Sequence, residues 1–105
     1  MSIKLTEITD IIRSKNAGPY ELTFDIMFQT DAWYRRVAEA GVINTTLIAD
    51  LYKIPSADVL GIINFAPAKA IKVTIRRPLS SGAPGETDVY GAQQHAPLLG
   101  LVFAL

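Results

Sequence analysis

The chain has 105 residues, 50% apolar and 19% charged, the make-up of one globular domain and not of a disordered segment. Ten basic and ten acidic residues cancel, so the cationic excess that phosphate-backbone binding requires is missing, and nucleic acid is not an expected partner. With no cysteine, disulfides, thiolate catalysis and Cys-based zinc or iron–sulfur centres are all excluded.

The first residues, Met1-Ser2-Ile3-Lys4-Leu5-Thr6-Glu7, lack the apolar stretch of a signal peptide. No uninterrupted apolar run reaches the length of a membrane span. A soluble cytoplasmic protein is the expectation. Zero net charge with this much apolar content also favours association with a partner over a lone monomer.

Along the chain, Ile8, Ile11 and Ile12 suggest a short helical turn or strand. It is expected to break at a polar loop, Arg13-Ser14-Lys15-Asn16-Ala17-Gly18-Pro19. Residues 20–28 alternate, with Tyr20, Leu22, Phe24, Ile26 and Phe28 on one side, the mark of a strand with one buried face. Thr30 or Asp31 caps a helix that runs through Ala40, with Trp33, Val37 and Ala40 on one stripe and Gly41 as its stop. Asn44 or Thr45 starts a second helix carrying Leu47, Ile48, Leu51 and Tyr52, and Pro55 closes it.

Residues 59–65 form a continuous apolar run of strand length. A turn at Ala66-Pro67-Ala68 leads into residues 70–76, which alternate again. Residues 80–97 are rich in Gly and Pro and read as one long polar loop, unusual in a small domain. Residues 98–105 read as a last strand. The order fits a single α+β domain of ferredoxin-like βαββ(α)β type over residues 1–105. Its four-stranded antiparallel sheet would have the second helix shortened or replaced by the long loop. The strands at 20–28 and 70–76 are then central neighbours, with Glu21, Thr23 and Asp25 facing Lys72, Thr74 and Arg76 on the polar side.

The long loop holds the single histidine, His95, close to Glu86, Asp88 and Tyr90. His95 is the one side chain here with an ordinary pKa near neutrality, which makes His95 and Asp88 the candidates for moving protons. These residues can equally hydrogen-bond within their own loop. Arg13 and Lys15, beside Ser14 and Asn16, place two cations among small polar groups suited to a carboxylate or phosphate. The loop matches no nucleotide-binding pattern. Thr87, Tyr90, Gln93 and Gln94 complete the candidate substrate-binding set. In a ferredoxin-like fold the two polar segments would meet in one cleft holding Arg13, Lys15, Asn16, Asp88, Tyr90, Gln93 and His95. No metal-ligand set is recognisable, and no cofactor is named by the sequence.

Two long segments carry a family resemblance. Residues 12–25, Ile12-Arg13-Ser14-Lys15-Asn16-Ala17-Gly18-Pro19-Tyr20 onward, are the first. Residues 81–99, including Glu86-Thr87-Asp88-Val89-Tyr90-Gly91-Ala92-Gln93-Gln94-His95, are the second. Through them essentially the whole chain resembles the small bacterial proteins catalogued as a domain of unknown function, number 4387. Such proteins are typically encoded beside a larger protein similar to the acyclic terpene utilisation protein AtuA. AtuA-type proteins often end in a ferredoxin-like domain of this size that opens with an Arg-Ser-Gly-Asp-Lys-Gly motif. Arg13-Ser14-Lys15-Asn16-Ala17-Gly18 falls at the matching place. It keeps Arg13, Ser14 and Gly18, and it departs at Lys15, Asn16 and Ala17.

The resemblance implies a detached small subunit that docks on an AtuA-like large subunit and completes or stabilises its active site for an organic acid or acyl-thioester. One alternative is an independent small lyase, hydratase or isomerase, with Arg13 or Lys15 holding a carboxylate while His95 and Asp88 move protons. Another is a homo-oligomeric ligand-binding module.

Overall fold

The fold is that of a computed structural model, which describes residues 2–18, 20–76 and 95–105. The chain opens with β1 (Ser2–Lys4), a single helical turn α1 (Leu5–Ile8) and the strand β2 (Thr9–Gly18). β3 (Glu21–Phe28) leads into the helices α2 (Asp31–Ala40) and α3 (Thr45–Tyr52). β4 (Val59–Phe65) and β5 (Ala70–Arg76) follow, joined by a 3-10 turn at Ala66–Ala68. A 3-10 segment at Ala96–Gly100 and the short β6 (Val102–Ala104) complete the described residues.

Both helices begin on the expected signals, and α2 ends on its expected glycine. The Thr30 hydroxyl accepts the Trp33 N–H at 3.1 Å, and the Asn44 side chain accepts the Leu47 N–H at 2.9 Å. Each thereby satisfies an amide that the first helical turn leaves unpaired. Gly41 ends α2 in the left-handed conformation, φ 64°, where glycine avoids the steric cost of a Cβ. α3 ends at Tyr52, three residues before the Pro55 expected to close it, with Lys53 left-handed at φ 56°.

The α+β class holds, with one antiparallel sheet of four strands and one of two. The four-stranded sheet has the order β2-β3-β5-β4. β3 and β5 are the central neighbours the alternation implied, with Glu21 opposite Arg76, Thr23 opposite Thr74 and Asp25 opposite Lys72. Leu22, Phe24, Ile26 and Phe28 of β3 and Ile71, Val73 and Ile75 of β5 all face the helices. With Tyr34, Val37 and Ile48 they form one buried cluster. Phe24 stacks on Tyr52 with ring centroids 4.8 Å apart.

Two expectations change. Arg13, Ser14, Lys15 and Asn16 lie not in a loop but within β2, which pairs with β3 along its whole length. The last strand does not join the large sheet. Its expected place beside β3 is filled by β2, and β6 pairs with β1 instead, Phe103 opposite Ile3. The segment at 98–101, read as strand, is largely a 3-10 turn whose Leu98 is fully buried in the core. That turn packs against α1 and α3. A continuous apolar run satisfies a buried turn as well as a strand, which is why periodicity alone does not separate them.

Candidate functional site on the outer sheet face

One face of the sheet packs on α2 and α3, and the other carries no helix among the described residues. The register defines that outer face residue by residue. β2 presents Ile11, Arg13 and Lys15, and β3 presents Glu21, Thr23, Asp25 and Met27. β5 presents Ala70, Lys72, Thr74 and Arg76, and β4 presents Gly61, Ile63 and Phe65.

At its centre is Asp25, 0% exposed although it sits on the polar side. Arg13 donates from Nε to Asp25 Oδ2 at 2.9 Å, and Lys72 Nζ lies 3.6 Å from Oδ1. Three adjacent strands thus supply cation, anion and cation in a row, at positions that are direct cross-strand partners. A carboxylate removed from water needs such compensation. The compensation is uneven, because Oδ1 makes no hydrogen bond within the described residues and Lys72 is beyond hydrogen-bond range. Lys72 Nζ also stands 5.7 Å from the centroid of the Phe65 ring, a cation–π position.

Next to this row, Thr23 Oγ1 and Thr74 Oγ1 are 3.3 Å apart, with Lys15 beside Thr23 on the neighbouring strand. At one end of the face Arg76 Nε reaches Asp58 Oδ1 at 3.4 Å. The chemistry displayed is therefore a cationic patch over a hydroxyl pair, bordered by apolar Ile11, Ile63 and Phe65. Arg13 reaches Asp25 through Nε, and a guanidinium carries two further nitrogens in the planar fork that can bind a carboxylate at two points.

The strand geometry of β2 divides the sequence-derived set. Arg13 and Lys15 lie on the outer face. Ser14 and Asn16, opposite Phe24 and Leu22, lie on the helix-covered face, where Ser14 is buried. Successive strand residues point to opposite faces, so four consecutive residues do not line one cleft. Ser14 and Asn16 each have an interaction partner of their own. His95 is half-buried just before the 3-10 turn, where its carbonyl accepts the Leu98 N–H at 2.9 Å, and it too has a partner. Glu86, Thr87, Asp88, Tyr90, Gln93 and Gln94 lie outside the described residues.

The functional-looking residues that sequence reasoning passed over are Asp25 as a buried anion and Lys72 as its second partner. Alternation exposed their shared face. Only the placement of β2 at that edge reveals the Arg13 contact. On the other face, burial pushes the Tyr52 hydroxyl well above the usual tyrosine range. Among the described residues no group of three or more His, Asp or Glu side chains is arranged to hold a metal ion. No helix among them is long and apolar enough to cross a membrane.

The fold and this face define a small α+β domain whose antiparallel sheet is helix-covered on one side and displays a charged, apolar-bordered surface on the other. The chain belongs to the family described as Domain of unknown function (DUF4387), whose sequence profile matches residues 5–102. No curated protein matches the chain significantly, and no solved structure does.

Proposed function

We propose that the chain is the cytoplasmic small subunit of a two-component complex with an AtuA-like large subunit. In that complex it completes or stabilises the partner's active site for an organic acid or acyl-thioester. The observation that supports this most is the outer sheet face. It combines an exposed apolar side chain, Ile11 at 42%, with a guanidinium held in place by a buried carboxylate. Apolar surface of this kind fits a protein partner, and the guanidinium of Arg13 fits a substrate carboxylate presented at the boundary between the two chains.

In this reading β3, the two helices, β4 and β5 form a ferredoxin-like split unit, with β2 at the edge where that fold sets its last strand. The second polar segment contributes Asp88 and His95 as proton-moving groups. Thr87, Tyr90, Gln93 and Gln94, with Arg13 and Lys15, are the proposed substrate contacts.

Co-expression with a tagged AtuA-like large subunit tests the reading. The untagged chain is expected to co-elute in fixed stoichiometry through a salt wash. A chain that is stable alone and is not retained by the large subunit overturns it.

A further inference from the structure

The four-stranded sheet ends in two edges of unlike character. β2 carries Asp10, Arg13 and Lys15 along its length, and charges on an edge strand deter another chain from pairing there. β4, at the opposite edge, runs Val59-Leu60-Gly61-Ile62-Ile63-Asn64-Phe65 with no charge and no proline. Leu60, Ile63 and Phe65 are 43%, 61% and 44% exposed. One side of this strand pairs with β5, and among the described residues its outward backbone donors and acceptors have no neighbouring strand. Apolar and seven residues long, β4 carries neither charge nor proline and is covered by no described helix or loop, so among the described residues this edge is unprotected.

The pattern of β4 is complementary to itself. Gly61, Ile63 and Phe65 share the outer face, since they pair with Thr74, Lys72 and Ala70. Residues directly opposite in an antiparallel pair share a face, with Cα atoms roughly 4.5–5.5 Å apart. A twofold axis at Ile63 sets Ile63 against its own copy and Phe65 of each strand against Gly61 of the other. A Cβ at Gly61 would meet nothing within 4 Å, so an aromatic ring has open space to lie over it. An aromatic side chain across from an edge glycine shields the bare backbone there. The two exposed apolar side chains of the outer face are thus buried by one symmetry operation.

Charge does not oppose the arrangement. The two copies of Lys72 would be three strand spacings apart, about 14 Å. That exceeds the physiological screening length of about 8 Å. The chain as a whole is neutral.

We infer that β4 is a strand-addition edge whose occupant is the β4 of a second copy, paired antiparallel about a twofold axis at Ile63. The two sheets of four strands then become one continuous sheet. This inference does not depend on the large subunit, and its test is separate from co-elution.

The chain has no cysteine of its own, so a single introduced thiol reports the register without background. In sedimentation the full chain is expected at twice its mass of 11.4 kDa. Under mild oxidation Ile63→Cys is expected to cross-link to a covalent dimer, because opposed Cα atoms fall within the roughly 4.4–6.8 Å that a disulfide spans. Ile11→Cys, on the far edge, is expected to stay uncross-linked. Ile63→Lys puts like charges face to face and is expected to weaken self-association at least about 100-fold. Ile63 is largely exposed, so that variant keeps the far-ultraviolet circular dichroism of the parent. The inference is overturned by a monomeric chain, by a dimer that cross-links through position 11 and not 63, or by self-association unchanged in Ile63→Lys. A chain that pairs through β4 only when the large subunit is added overturns it too.

Discussion

Asp25 is held out of solvent between two cations of unequal reach. Arg13 makes a charge-assisted hydrogen bond of 2.9 Å, whereas Lys72 at 3.6 Å contributes attraction without a bond. Both cations are partly exposed, so solvent screening reduces what each is worth. Removing the better partner leaves the buried carboxylate with weak compensation, the costly half of any buried pair. Arg13→Met is therefore expected to destabilise the fold by about 2–3 kcal/mol and Lys72→Met by about 1 kcal/mol or less. Urea unfolding midpoints at an unchanged slope check the order, and equal losses would contradict the asymmetry. Tyr52 sets a second expectation. Burial raises its folded-state pKa, so above pH 10, near the unfolded-state value, the unfolded chain releases this proton while the folded chain keeps it. The unfolded state then binds fewer protons, and stability falls as pH rises from about 10. Tyr52→Phe is expected to flatten that part of the stability–pH curve. An unaltered alkaline slope would place the cause elsewhere.

At the scale of elements, the helix ends carry much of the local specification. Thr30 and Asn44 each accept an amide of the first turn, so Thr30→Ala and Asn44→Ala are each expected to cost about 1 kcal/mol. Thermal melts of the two single variants and the double variant check this, with near-additive losses because the caps bond separate helices. These helices, β3 and β5 were legible because their periodicities are clean: every second residue of β3 and β5 is core, and the caps are standard. β2 was not legible as a strand. Its inner positions pass from apolar Ile12 to polar Ser14 and Asn16, and its outer positions mix Ile11 with Arg13 and Lys15, so the apolar alternation is not sustained. An edge strand at the margin of a core does not need an apolar inner face, and register shifts near Thr9 and near Gly18 blur the period further. β4 was legible as a strand from its continuous apolar run, but its place at an edge, with three large side chains exposed, was not. The candidate site was legible only in part. Arg13 and Lys15 stay together because i and i+2 share a strand face, and Ser14 and Asn16 part from them for the same reason. Asp25 drew attention only as half of a cross-strand charge pair, since its burial depends on β2 lying alongside.

At the scale of the molecule, the sheet divides the domain into a closed side and a displayed side. The closed side holds the core beneath α2 and α3, with the turn at Ala96–Gly100 and the β1–β6 ribbon contributing Leu98, Ile3 and Phe103. The displayed side holds the oriented Arg13, the Thr23–Thr74 hydroxyl pair and an apolar border. Pairing through β4 would lay two such faces side by side in one sheet and leave β2, with Ile11 and Arg13, at both outer ends. Each end could then engage one large subunit, so docking and self-pairing do not compete. Docking of the proposed large subunit on this outer face would cover Ile11, which is 42% exposed and lies away from the core. The direct measurement is the dissociation constant between the isolated chain and the large subunit by titration calorimetry, for the parent and for Ile11→Lys. The account expects measurable binding by the parent and at least a tenfold weaker constant for Ile11→Lys, about 1.4 kcal/mol. No binding by the parent, or the same constant for both, would contradict it.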